Sequence, residues 1–221
     1  MAGENSIRPK GFREWWENYW YHYKWHTIVA FVLILAVAIS TVQCSSRPKY
    51  DYQLVLAVGT VEMAPAQVEA LEEQIAAVGT DQNGDGLVKV NLIDCTYSST
   101  KSSYAIVTAK RQKLQSIFMN QSDTLLFICD KACYDWLDSI REGGFMEDLG
   151  LSKEDGRYFS LTDTKLYKEA KSKNHKELTW PADLRISRRK VSGMLIEKEK
   201  NIEKYMEKAD TLLSAIIQKN S

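Results

Sequence analysis

The sequence predicts an α/β protein: an N-terminal transmembrane helix followed by a single doubly wound, mainly parallel sheet domain. Three observations predict it. An uncharged apolar run lies near the N-terminus. After it, short strand-like apolar runs alternate with amphipathic helix-like ones, the pattern of parallel strands joined by crossover helices. The chain has 221 residues. An anchor of about 45 residues leaves roughly 175 for one domain with a real core.

The anchor comes first. Thr27–Val42 reads TIVAFVLILAVAISTV, and no Asp, Glu, Lys or Arg occurs between Lys24 and Arg47. As a helix at about 1.5 Å per residue, His26–Cys44 covers about 28 Å, close to the hydrocarbon thickness of a bilayer. The preceding flank holds Trp15, Trp16, Trp20 and Trp25, four of the six tryptophans. Rings with a polar edge favour the membrane–water interface, so the flank reads as an aromatic belt. Phe12, Trp15, Trp16, Tyr19, Trp20 and Tyr23 recur at helical spacing, which fits a helix lying in the interface before the chain turns into the bilayer.

A buried core helix and a cleaved signal peptide are the competing readings. The long aromatic lead is unlike a short basic leader. Thr41-Val42-Gln43 lacks the small residue that a lipobox places before its cysteine, so Cys44 does not read as a lipid anchor. Arg8, Lys10, Arg13 and Lys24 precede the span, while Arg47 and Lys49 follow it. That bias puts the N-terminus in the cytoplasm and the domain outside the cell membrane. The expected organisation is a juxtamembrane segment at 1–25, the span at 26–44, a linker at 45–51 and an extracytoplasmic domain at 52–221.

Within the domain, QLVLAVG in Asp51–Thr60 suits a buried strand. Pro65 opens a helix whose stripe is Val68, Leu71, Ile75 and Val78, and Gly79 ends it. Leu87–Asp94 is the second strand and Ser103–Asn120 the second helix, with Val107, Leu114, Ile117 and Phe118 inward. Thr124–Cys129 is an almost wholly apolar third strand. A short helix at Ala132–Arg141 stops at Gly143-Gly144. Arg157–Thr162 and Ala182–Ile186 are expected to be further strands, with a polar loop at Ser172–Glu177. An amphipathic helix closes the chain near Glu197–Lys219, with Ile202, Tyr205, Ala209, Leu212, Leu213, Ile216 and Ile217 as its stripe. That stripe packs on the sheet or meets a partner.

Lys plus Arg and Asp plus Glu number 29 each, so no global charge points to nucleic acid. The densest basic cluster, Arg185, Arg188, Arg189 and Lys190, reads as a solvated face or a surface for anionic headgroups. Asp81, Asn83 and Asp85, then Gly86 and the Leu87 carbonyl, match the first half of an EF-hand-type calcium loop. The second half fails, since Lys89 and Leu92 stand where further oxygens belong. Either the loop binds calcium weakly or it is an Asx/Gly turn feeding the second strand. No other cofactor is expected.

Cys95 and Cys129 fall at predicted strand ends and Cys133 about one helical turn past Cys129, where a bridge from Cys95 to Cys129 or Cys133 and ordinary buried thiols both fit. Ligands of open α/β sheets bind beyond the carboxyl ends of strands. The candidate ligand residues are therefore Asp94, Thr96, Tyr97, Asp130 and Tyr134, with solvated caps and turns as the alternative. No GxGxxG, P-loop, HExxH or GxSxG occurs, and no catalytic residue is assigned.

Two stretches carry a resemblance. WWENYWYHYKWHTIVAFVLIL, followed by YDYQLVLAVG and DQNGDGLVKV, resembles membrane-anchored extracytoplasmic proteins of Gram-positive, clostridia-like bacteria. QKLQSIFMNQSDTLLFICDKACYDWLDSIREGGFMEDL is similar to part of one lobe of an extracellular solute-binding protein. The resemblance implies an α/β lobe whose strand ends face a ligand. Solute-binding proteins have two lobes, and this chain has room for one. The expected function is a non-enzymatic membrane-anchored module for a small solute, a transporter or an envelope partner. The alternatives are a degenerate hydrolase or redox enzyme using Asp94, Cys95, Asp130 and Cys133, and a structural accessory subunit that uses the C-terminal helix as its contact surface.

Overall fold

The structure is a computed structural model that describes residues 11–45, 50–140, 144–151, 156–173 and 178–220. It divides into two compact units, Met1–Pro48 and Lys49–Ser221. The described part of the first is one helix, α1 (Phe12–Ser45). No turn separates its aromatic lead from its apolar run, so the expected interfacial helix and span are continuous. Aromatic residues four apart stack into two ladders, Phe12–Trp16–Trp20 and Trp15–Tyr19–Tyr23. Phe12–Thr41 is long and apolar enough to cross a membrane.

The second unit holds one five-stranded sheet in the order β2-β1-β3-β5-β4. The strands are β1 (Tyr52–Ala57), β2 (Val90–Asp94), β3 (Leu126–Cys129), β4 (Phe159–Ser160) and β5 (Arg185–Arg188). β1 is parallel to both β2 and β3, with Leu54 opposite Leu92 and Leu126. Leu54–Ala57 of β1 and all of β3 are apolar and buried on both faces, because helices cover both; the edge strand β2 carries polar Asn91 and Asp94. β5 runs antiparallel to β3 and β4 antiparallel to β5, so four strands point one way and β5 reverses. The expected strands at Arg157–Thr162 and Ala182–Ile186 shrink to Phe159–Ser160 and shift to Arg185–Arg188.

The helices α2 (Pro65–Ala76) and α3 (Tyr104–Asn120) join β1 to β2 and β2 to β3. These connections run in opposite directions along the sheet, so right-handed crossovers place α2 and α3 on opposite faces. α5 (Lys165–Lys173) packs on α2. α4 (Lys131–Ser139) neighbours α3, since Arg111 of α3 lies 5.3 Å from the ring of Trp136. The polar loop expected at Ser172–Glu177 begins inside α5, and 174–177 lie outside the described residues. A single 3-10 turn, Leu195–Lys198, precedes α6 (Ile202–Asn220). In α6, Ile202, Ala209, Leu212, Leu213 and Ile216 are buried in the domain's own core.

The basic cluster is not a solvated face. Arg188 and Arg189 are buried. Arg188 pairs with Glu147 at 2.7 Å and with Asp210 of α6. Arg189 donates to the carbonyls of Ile117, Phe118 and Gln121 at the end of α3. There the guanidinium supplies donors for the last carbonyls of the helix; that of Ile117 also accepts the Gln121 N–H. Burial lowers the Arg189 pKa to about 10, which leaves it charged at neutral pH.

Candidate functional site

β1 leads to α2 and β3 to α4, on opposite faces, so the crevice between their carboxyl ends is where a doubly wound fold receives a ligand. Here that crevice is closed from within. Asp130 follows β3 and caps α4, and its Oδ1 accepts the Cys133 N–H at 2.9 Å. Its Oδ2 accepts the Gly59 N–H at 2.8 Å, and the Thr60 N–H and hydroxyl at 2.9 Å each. These donors, from the turn after β1 and the first turn of α4, form an anion nest, and the protein's own carboxylate fills it. Gly59 suits this close approach, since a Cβ there would press on Cys133 Sγ and Tyr97 Oη at 3.2 Å.

Of the other sequence candidates, Asp94 and Thr96 bond each other, and Tyr97 lies beside Cys133 next to the Asp130 nest. Asp94 Oδ1 accepts the N–H and hydroxyl of Thr96 at 2.8 and 2.7 Å, and its Oδ2 takes Lys110 Nζ at 2.7 Å. Burial alone would raise the Asp94 carboxyl; Lys110 and Thr96 outweigh it and hold the carboxyl below its ordinary range. Thr96 also accepts the Met63 N–H. The buried Tyr97 hydroxyl accepts from Arg111 Nε at 3.0 Å and lies 3.7 Å from Cys133 Sγ. Burial raises its pKa against the pull of Arg111.

Cys95, Cys129 and Cys133 are separate buried thiols. Burial pushes Cys95 up to about 11 and Cys133 up to about 12, and raises Cys129 well above the ordinary thiol value. They are therefore protonated at neutral pH and poor nucleophiles.

The calcium-like loop is held by its own groups. Asp81 accepts the N–H groups of Asn83, Gly84 and Gly86, and those of Gly86 and Gly84 do most to lower its pKa. Asp85 pairs with Lys89 at 2.7 Å. Buried Asp51 accepts the N–H groups of Gln82, Asn83 and Lys89, tying the loop to the start of β1. Gly84 and Gly86 take φ values of +78° and +81°, which the tight turns require. Among the described residues no group of three or more His, Cys, Asp or Glu side chains is arranged to hold a metal.

Tyr134 alone of the candidates lines an open cleft, of about 460 Å³, beside the carboxyl end of β3. The cleft also presents Lys131, Asp135, Asp138, Arg157, Tyr158 and Arg185. Tyr134 and Tyr158 meet edge to face at 5.5 Å. Arg185 lies 4.4 Å over the Tyr158 ring and 5.8 Å from that of Tyr134. Arg157 bonds Asp138 at 2.6 Å, and Lys131 bonds Asp135 at 2.5 Å. Sheet register brings Arg185 here, opposite Cys129 of β3 and Ser160 of β4. Arg157, Tyr158 and Arg185 are absent from the sequence candidates. Their one local signal is the basic cluster, which points Arg185 to solvent instead.

No protein-family model matches the chain, and neither a curated protein nor a solved structure matches it.

Proposed function

We propose that the chain is a membrane-anchored, non-enzymatic binding module. In this reading α1 crosses the cell membrane with its N-terminus in the cytoplasm, and the α/β domain outside binds a small solute or a transporter or envelope partner. The observation that carries it is the open cleft of Tyr134, Tyr158, Arg157 and Arg185 at the strand ends, where ligands of open α/β folds bind. The groups an enzyme would need at those ends are spent on the fold. Asp130 is saturated with donors, Asp94 is ion-paired, and Cys95 and Cys133 are buried, protonated thiols. An accessory subunit would need a contact surface other than the α6 stripe, which the domain's core already uses.

Two measurements test the reading. Protease added to cells stripped of their wall should degrade the domain, and full protection would reject the topology. In a small-solute screen on the full chain, hits should raise the melting temperature. Replacing Tyr158 by Leu should remove those shifts; hits that ignore the substitution would place binding elsewhere.

A further inference from the structure

We infer that the cleft takes a small organic monocarboxylate, gripped by the guanidinium of Arg185. The inference rests on the cleft being a binding site and adds the class of ligand. It begins from how the three cations of the cleft are neutralised. Arg157 is bonded to Asp138 at 2.6 Å and Lys131 to Asp135 at 2.5 Å. The acid nearest Arg185 is Asp183, a looser 3.5 Å from Nη2, and Asp183 Oδ2 also accepts the Lys131 N–H at 3.1 Å. Arg185 is thus the cation of the cleft with most bonding capacity to give.

The tyrosines hold it ready. A guanidinium lying over a ring keeps its N–H groups in its own plane, so stacking on Tyr158 fixes the plane without consuming donors. The Arg185 side chain is only 18% exposed, so little solvent competes for a bond made there. A planar, pre-oriented donor fork of this kind matches a carboxylate with two parallel N–H···O bonds.

Charge limits the class further. Lys131, Arg157 and Arg185 balance Asp135, Asp138 and Asp183, so the site is close to neutral. One negative charge entering beside Arg185 is accommodated, whereas a dianion such as phosphate brings a second charge that the other two cations, already paired with Asp135 and Asp138, are not free to neutralise. Tyr158, half-buried at the rim, offers ring surface to an apolar ligand body, and a cleft of about 460 Å³ suits a small molecule.

The test uses the full chain in detergent micelles and fluorine NMR of two isosteric probes, 4-fluorobenzoate and 4-fluorobenzamide. The benzoate should bind with a dissociation constant of about 1 mM, and the amide about tenfold more weakly. Arg185→Gln should abolish the preference for benzoate. Arg185→Lys, which keeps the charge but loses the fork, should weaken benzoate about tenfold. Melting curves establish that both variants fold. Inorganic phosphate should not displace benzoate. Equal binding of the two probes, benzoate binding that survives Arg185→Gln, or displacement by phosphate would each overturn the inference. If both probes bind equally and Tyr158→Leu weakens both, the ligand class is wrong and the binding cleft stands. If neither binds at about 10 mM, both fail.

Discussion

Removing the Asp130 carboxylate should cost the domain a large part of its stability. In Asp130→Ala, α4 loses its cap, worth about 1 kcal/mol. The buried Gly59 N–H, 2.8 Å from Oδ2, is left without an acceptor, which costs about 1–3 kcal/mol. The N–H and hydroxyl of exposed Thr60 can recover water and add about 1 kcal/mol together. The expected loss is about 3–5 kcal/mol, against a typical total of about 5–15 kcal/mol. Asp130→Asn separates the contributions. It keeps an oxygen for the Cys133 N–H but turns an NH2 group toward the Gly59 and Thr60 donors, so it should lose less than alanine, about 2–3 kcal/mol. The assay is urea unfolding of the Lys49–Ser221 unit, which has its own core, followed by Trp136 and Trp180 fluorescence. An alanine loss below about 1 kcal/mol with an unchanged m-value would refute the clamp.

Three further outcomes can be measured. The thiols at Cys95 and Cys133 are pushed up to about 11 and about 12. The unfolded chain sheds these protons near the ordinary value of 9.0 while the folded domain keeps them. Their contribution to stability is therefore full below about pH 9 and is lost as pH rises through about 11. In the native Lys49–Ser221 unit a thiol reagent at neutral pH should find none of the three cysteines, and after unfolding all of them; native labelling, or a non-reducing mass lacking two thiols, would contradict the buried reduced arrangement. Arg189→Met should cost about 2–4 kcal/mol, because it strands the buried Phe118 carbonyl and the partly buried one of Gln121 at the end of α3; a neutral effect in urea unfolding would sink that role. For the loop, binding of calcium predicts a melting temperature that rises with millimolar calcium, rises further in Lys89→Gln, which frees Asp85, and does not rise in Asp85→Ala. An unmoved melt of the unmodified chain rejects it.

The parts of the fold readable in the sequence are those fixed by local apolar pattern. β1 and β3 are short, mostly apolar runs, β2 alternates apolar and polar positions, and α2, α3 and α6 carry regular stripes. β5 is harder, since RISR looks like part of a basic surface. Arg188, and Arg189 just past the strand, are buried because their partners, Glu147, Asp210 and the α3 carbonyls, come from segments far along the chain. No spacing rule sees such pairings. The site follows the same division. Tyr134 is legible from its place one helical turn past a strand end. Arg157, Tyr158 and Arg185 are not, because only the register of β4 against β5 and β3 assembles them.

The location of the cleft has a physical reason in Asp130. A helix N-terminus beside a turn rich in free N–H groups attracts an anion. In this chain the residue that caps the helix also reaches the turn after β1, so the anion is built in. The switch-point crevice thereby becomes a joint between β1 and α4, and the cleft proposed for a ligand lies one position over, where α4 faces the antiparallel β4–β5 edge. That edge contributes Tyr158 and Arg185, which no parallel crossover would have brought there. Opening the joint and occupying the cleft should then be separable. Asp130→Asn should lower stability while leaving probe affinity in the cleft within about twofold, since asparagine keeps an oxygen for the Cys133 N–H that caps α4. A parallel fall in both would mean that the clamp positions α4, and with it Tyr134, for the ligand.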